Sequence, residues 1–328
     1  MTDKNNQPLV SIIIPTKDNI SLLKQCLESI ENKSTYKNYE IIIVDNNSKK
    51  LESKPYFSAL RHKVISYNEP FNFSKINNFA ASEAKGEYII FLNDDTEVIS
   101  SDWIERMLEH SQKPEVGAVG VKLLYPDDTV QHAGDLIGIG GMTAHAFEGF
   151  PRDHPGYQGL LQRVHNCSAV TAACMMIRKK LFEEIGGFDE NLAYAFNDVD
   201  LCLRLGKMGY SIIYTPHAEL YHYASSTRPY TVHSEEIRYF IQRWRDIILK
   251  GDPYYDRNLS RLRPDYSPKI KQERFVLTDF GLFEESELGM LRKPGRYMRI
   301  ANNIAKRHGV RRLTLEFLRY LMIKKGRK

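Results

Sequence analysis

Three short apolar runs, each followed at once by polar residues, constrain this chain more than any other feature. LVSIIIP (9–15), YEIIIVD (39–45) and YIIFL (88–92) read as strands buried on both faces. Between the first two, ISLLKQCLESIE (20–31) puts Ile20, Leu23, Leu27 and Ile30 at helical spacing, with Asn19 as a candidate N-cap. KVISY (63–67) predicts a further short strand, and residues 74–84 a second helix. This alternation predicts an α/β sandwich around a largely parallel sheet. In such sheets ligands bind beyond the carboxyl ends of the strands. Those ends carry Pro15, Asp45 and the run Asn93-Asp94-Asp95.

Further along, WIERMLEH (103–110) predicts a helix and GAVGVKLLY (117–125) a strand. Residues 126–165 are rich in Gly and His with little periodicity, as an active-site loop region would be. RKKLFEEIG (178–186) reads as a short helix stopped at Gly186, 199–208 as another helix, and YSIIYTP (210–216) as a strand closed by proline. A helix over about 234–249 leads into the turn-rich DPYYDRNLS (252–260).

The 328 residues, 42% of them hydrophobic, suit one large domain, or a domain plus an appendage. Cys26, Cys167, Cys174 and Cys202 form no CxxC pair, which argues against a structural zinc site or a disulfide framework and suggests a reducing cytoplasm. The opening MTDKNNQPLV lacks a signal-peptide layout, and no apolar run approaches the roughly 20 residues a membrane helix needs. A soluble or peripheral protein is expected.

Adjacent carboxylates repel, and burial adds a desolvation cost unless something positive offsets both. Asp94 and Asp95 therefore belong either to a solvated turn or to a cation site. Hard oxygen ligands at a strand end suit Mg²⁺ or Mn²⁺ together with substrate phosphates. Two nucleotide templates are missing: there is no GxxxxGK[ST], and GIGGMT (138–143) puts Thr143 where a dinucleotide fingerprint needs its third glycine. In AFNDVDLCLRLGKMGYSIIYTPHAELYH (195–222), Asp198 and Asp200 open a helix. Asp200 reads equally as helix capping, whereas Asp198, at the boundary, is the stronger catalytic candidate. His217 and His222 bracket the end of the following strand, and either could join a metal site.

The order VSIIIPTKD, IIIVDNNS, FLNDDTEV, then GGFDE…FNDVDLCLR…GY…H resembles glycosyltransferase family 2, of the GT-A fold, over roughly residues 9–230. FNFSKINNFAA, QHAG, AVTAACMMIR and DPYYDRNLS resemble its subgroup of O-antigen and surface-polysaccharide enzymes, often rhamnosyltransferases. The resemblance implies that Pro15, Thr16, Asp18 and Asp45 line the nucleotide pocket, with Asn72, Asn77, Asn93 and Asp94 also contacting the sugar-nucleotide. It implies Asp95 as metal ligand, His222 as the late metal histidine with His217 as a rival, and Asp198 as general base. Asn93 departs from the family's Asp-x-Asp pattern, and Asn197 from its Glu-Asp pair. The implied reaction is inverting, Mn²⁺- or Mg²⁺-dependent transfer of one sugar from dTDP-rhamnose or a UDP-hexose to a growing glycan. QRW (242–244) lacks the Gln-x-x-Arg-Trp spacing of processive members. The alternative is a catalytically silent nucleotide-sugar or glycan-binding subunit.

Charge is uneven. Residues 268–328 hold 16 Lys/Arg against 6 Asp/Glu, and residues 289–328 hold 13 against the single Glu316. In VRRLTLEFLRYLMIKKGRK, Leu313, Phe317, Leu318 and Leu321 share one helical face edged by basic residues. That pattern suits either an interfacial helix at the inner leaflet, near a lipid-linked acceptor, or a helix packed on the body with a solvated basic face. No nucleic-acid module accompanies the charge. The expected layout is a GT-A domain over 1–265 and a basic, largely helical extension over 266–328.

Overall fold

The computed structural model describes residues 7–140, 142–224, 233–269, 273–278 and 281–284. The basic segment 289–328, with its expected helix, lies outside the described residues. The chain gathers into two compact units, Met1–Asp135 with His145–Ser225, and Leu136–Ala144 with Ser226–Lys328.

The first unit opens with β1 (Val10–Thr16), α1 (Ile20–Lys33), β2 (Tyr39–Asp45), α2 (Ser53–Ala59), β3 (Lys63–Ser66), α3 (Phe73–Ser82) and β4 (Tyr88–Leu92). β1 runs parallel to β2 on one side and β4 on the other, and β2 runs parallel to β3. Ile12, Ile13 and Ile14 are all fully buried, so β1 is covered on both faces and shows no polar alternation. α1 buries Leu23, Cys26, Leu27 and Ile30. Asn19 occupies the α1 N-cap position, yet its side chain makes no capping bond. α3 is capped by Asn72, whose side chain accepts from the Lys75 N–H.

The chain continues through β5 (Thr96–Val98), α4 (Trp103–Ser111), β6 (Val116–Leu124), β7 (Val130–His132), β8 (Asp135–Ile137), β9 (Thr143–His145), a 3₁₀ segment at Tyr157–Gln162, β10 (His165–Cys167), β11 (Cys174–Arg178), α5 (Lys179–Glu184), α6 (Asn197–Lys207) and β12 (Ser211–His222). The main sheet has ten strands, ordered β10-β12-β6-β11-β4-β1-β2-β3, with β5 on β12 and β7 on β6. β1, β2, β3, β4, β6 and β12 share one direction, and β11 lies antiparallel between β4 and β6. Trp103 opens α4 fully buried, with its indole N–H donating to Ser34 Oγ at 2.9 Å.

Two expectations are corrected. The strand expected to close at Pro216 runs on to His222. Its ladder with β6 shifts register between Thr215 and Glu219, so Pro216 sits where no ladder N–H is required. Residues 126–165 are not all irregular, because β7, β8 and β9 lie within them.

In the second unit, α7 (Ser234–Lys250) buries Ile237, Phe240, Trp244 and Ile248. β13 (Phe275–Thr278) and β14 (Gly281–Glu284) form an antiparallel pair. The Arg261 guanidinium donates to the carbonyls of Gly138, Leu249 and Ile248. Gly138 has φ +69°, and a Cβ there would lie 2.3 Å from Ile248 O. Among the described residues no helix is long and apolar enough to cross a membrane.

Candidate active site

Strands running in one direction deliver their polar punctuation to one end of the sheet. Pro15 is buried in β1 opposite Val44, and Thr16 is the register partner of Asp45. The Thr16 hydroxyl donates to Asp94 Oδ2 at 2.7 Å. Asp45 Oδ1 accepts the Ser48 N–H at 2.9 Å, and Asp18 Oδ1 accepts the amides of Lys49 and Lys50 at 2.6 and 2.8 Å. Asp18 thus ties the loop after β1 to the loop after β2, from a left-handed backbone (φ +53°) that Asp tolerates.

The two adjacent acids are buried, Asp94 8% and Asp95 6% exposed, and they face different partners. Asp94 is held by Thr16, while Asp95 Oδ1 lies 3.2 Å from His222 Nε2. Asn93 Nδ2 is 3.1 Å from the same ring nitrogen. β12 delivers His222 there by pairing with β5, where His222 is the register partner of Thr96. His217 is exposed on the same strand, and its charge bears on His110 instead. Of the two candidate histidines, His222 joins the cluster. A carboxylate oxygen and an imidazole nitrogen converge here, donors that could hold a divalent cation.

Asp198 stands in the first turn of α6, after Phe196 at φ +62°. Its carboxylate accepts the Ala172 N–H at 3.1 Å and the Val199 N–H at 2.8 Å, and the Thr171 hydroxyl also bonds to it. Burial, then the charge of Asp135, push its pKa above the usual carboxylate value, against those donors. The neighbouring carbonyl, Ala173 O, accepts the Asn93 N–H at 3.0 Å, so one short loop touches both the acid cluster and Asp198. Asp200 is fully buried and bound to Arg204 Nε at 2.7 Å. The same guanidinium donates to the carbonyls of Ile185 and Gly187. Asp200 therefore holds the fold of the GGFDE turn.

Two expected nucleotide contacts have structural duties. Asn72 caps α3 and donates to Glu190 O at 2.8 Å. Asn77 is fully buried and donates to Phe73 O, its Oδ1 lacking a partner among the described residues.

Sequence reasoning missed a second polar group, in which His132 and Asp135 are buried and His145 is partly exposed. His132, Asp135 and His145 bring ligand-type atoms within 4.8 Å of one another. Asp135 Oδ1 and His145 Nδ1 are 2.5 Å apart. Burial alone would lower the His145 pKa, but Asp135 overrides it and raises it to about 9. His132 is pushed down to about 4, chiefly by burial. Both of its ring nitrogens are engaged, with Val121 O at 3.1 Å and the Thr171 N–H at 3.2 Å, so it is a hydrogen-bonding imidazole. QHAG marks this place in the sequence, but nothing in its spacing foretold a return by His145.

A family model for glycosyl transferase family 2 matches residues 11–186 of the 328, and the chain belongs to that family. It is 41% identical over 79% of its length to the uncharacterized protein y4gI of Sinorhizobium fredii, covering 30% of that protein. It is 37% identical over 79% of its length to the O-antigen biosynthesis protein RfbC of Myxococcus xanthus, covering 21% of it. The chain thus spans under a third of these two relatives. The O-antigen chain rhamnosyltransferase RfbN of Salmonella typhimurium is 27% identical, over 70% of each chain. Two solved structures share the fold. GalNAc-T7 with UDP, GalNAc and Mn²⁺ gives a TM-score of 0.58 at 15% identity, over 74% of this chain and 49% of that one. The mannosyltransferase PcManGT of Pyrobaculum calidifontis with GDP-Man and Mn²⁺ gives 0.52 at 17%, over 74% and 65%. The fold is GT-A, an α/β sandwich around a mixed, mostly parallel sheet.

Proposed function

We propose that this chain is an inverting, cation-dependent glycosyltransferase that adds one sugar from a nucleotide-sugar to a growing cell-surface polysaccharide. The observation that carries the reading is one loop, 171–173, bonded to Asp198 through Ala172 and to the acid cluster through Ala173. A base and a cation site that share one loop can act on the two ends of one displacement.

Asp95 and His222 would hold the cation, which neutralises charge on the diphosphate leaving group. Thr16, Asp18 and Asp45 line the strand ends where the nucleotide is placed, with Pro15, Asn93 and Asp94 beside them. Asp198 takes the proton of the acceptor hydroxyl as that oxygen bonds to the anomeric carbon. The bond from that carbon to the diphosphate oxygen breaks, and its electron pair leaves with the nucleotide. Such a base contributes about 10²–10⁴-fold.

Among donors dTDP-rhamnose is favoured over a UDP-hexose, supported by the likeness to RfbN. A lipid-linked acceptor at the cytoplasmic face of the membrane fits the basic 266–328 extension that follows the 1–265 catalytic domain. The test is donor turnover by the purified chain across a panel of nucleotide-sugars, with Mn²⁺, Mg²⁺ or chelator. Turnover that needs the cation is expected. Nucleotide binding without transfer or hydrolysis of any donor would instead identify a silent binding subunit.

A further inference from the structure

Gln131 and His132 are neighbours on the three-residue strand β7, and neither belongs to the proposed reacting groups. Both are buried, 5% and 1% exposed, and alternation along the strand sends them to different partners.

Gln131 grips His222 twice. Its Nε2 donates to the His222 backbone carbonyl at 3.1 Å, and its Oε1 lies 2.5 Å from His222 Nδ1. A backbone carbonyl can only accept, so the amide NH₂ must face it and Oε1 must face the ring. Oε1 in turn only accepts, which puts the proton on Nδ1. In the neutral ring Nε2 then carries the lone pair, and it is the nitrogen that meets Asp95 Oδ1 and Asn93 Nδ2.

His132 works the other side. Val121 O only accepts, so His132 Nδ1 donates to it, and Nε2 is left to accept the Thr171 N–H. That bond fixes the loop whose Thr171 hydroxyl and Ala172 N–H reach the Asp198 carboxylate.

We infer that the Gln131-His132 pair is a brace of two positioning residues, Gln131 setting the tautomer of the cation-binding His222 and His132 setting the donors that hold Asp198. The inference rests on the proposed roles of His222 and Asp198. It explains why two adjacent polar residues are buried together on so short a strand.

The two halves predict separate losses. Gln131→Met keeps the side-chain length but offers no amide, and should raise the Mn²⁺ concentration for half-maximal transfer about 10–100-fold. It should leave the pH profile in place. His132→Leu removes the acceptor for Thr171 and loosens the donors on Asp198, so the carboxylate loses hydrogen bonds that favour its charged form. The acid limb of the kcat profile should move up by about one pH unit, with the Mn²⁺ requirement unmoved. His132→Gln, which can still accept from Thr171, should restore the limb. Asp135, His145 and Cys202 also act on Asp198 and are unchanged in these variants.

Imidazole ¹⁵N shifts supply a readout independent of activity. His222 should be Nδ1-protonated in the wild type and move toward the Nε2–H tautomer in Gln131→Met. Equal shifts in the two proteins would overturn the Gln131 half, whatever the enzyme assay gives. An unmoved acid limb in folded His132→Leu, or a limb that His132→Gln fails to restore, would overturn the other. If the wild type shows the Nδ1–H tautomer but no cation-dependent turnover, the proposed function fails while the Gln131 contact stands.

Discussion

Asp198→Asn separates the chemistry of the proposed base from its structural duties. In the wild type each carboxylate oxygen accepts one backbone N–H, from Ala172 at 3.1 Å and from Val199 at 2.8 Å. Asparagine keeps one of these acceptors and turns an NH₂ toward the other donor, a loss of about 1 kcal/mol. Against that loss stands the relief of a buried charge. Burial and Asp135 raise the Asp198 pKa in the folded chain, so the ionised carboxylate is penalised there relative to the unfolded chain. A raised folded pKa means that the native state binds the extra proton between the two values, and stability falls as pH rises through that window. Asparagine cannot ionise, so the amide abolishes that penalty. The variant should therefore melt within a few degrees of the wild type and bind nucleoside diphosphate as before. Transfer should drop by about 10²–10⁴-fold, or roughly 3–5.5 kcal/mol of barrier. The assay is initial-rate sugar transfer beside isothermal titration with the nucleotide and a thermal melt. Wild-type transfer rates would refute the base assignment, and loss of nucleotide binding together with a large fall in Tm would refute the balance argued here.

His222→Ala should leave residual turnover that needs far more Mn²⁺ than the wild type, read from a metal titration of donor hydrolysis. Arg204→Met removes the partner of fully buried Asp200 and the bonds to Ile185 and Gly187, and should cost about 3–5 kcal/mol in chemical denaturation. Because Asp135 holds His145 at about 9, above its ordinary value of 6.5, this pair adds stability that is complete below about pH 6.5 and lost as pH rises through 9. A Tm that declines over that range in the wild type and stays level in His145→Gln would bear this out. Gly138→Ala should destabilise through a Cβ at 2.3 Å from Ile248 O on a left-handed backbone, measured by denaturant midpoint.

The parallel strands were legible in the sequence because burial on both faces leaves unbroken apolar runs. YEIIIVD and YIIFL match β2 and β4 end to end. The central antiparallel strand β11 was not, since CMMIR offers no alternation and one β-branched residue, with its neighbours β4 and β6 distant in the chain. Strand ends located the acid cluster and a helix boundary favoured Asp198 over Asp200, yet spacing alone left His217 a rival of His222 and gave no partner for Asp200. Both points depend on tertiary partners, Asp95 for His222 and Arg204 for Asp200, which carry no local signature.

Pro216 shows how misleading a sound local rule can be. Proline ends strands because it lacks the ladder N–H, and the rule would stop β12 six residues short of His222. The register shift between Thr215 and Glu219 removes that objection, for the residues inside it have no place in the β6 ladder. The ladder with β6 then resumes with Glu219 opposite Lys122 and runs to Tyr221 opposite Leu124, while the other edge of β12 takes β5. The irregularity joins a parallel ladder to the antiparallel pairing that sets His222 beside Thr96, one residue from Asp95. A strand without that break would keep the ladder but would have no tolerance for proline. The strongest stop signal in this stretch therefore marks the bend through which β12 reaches the acid cluster.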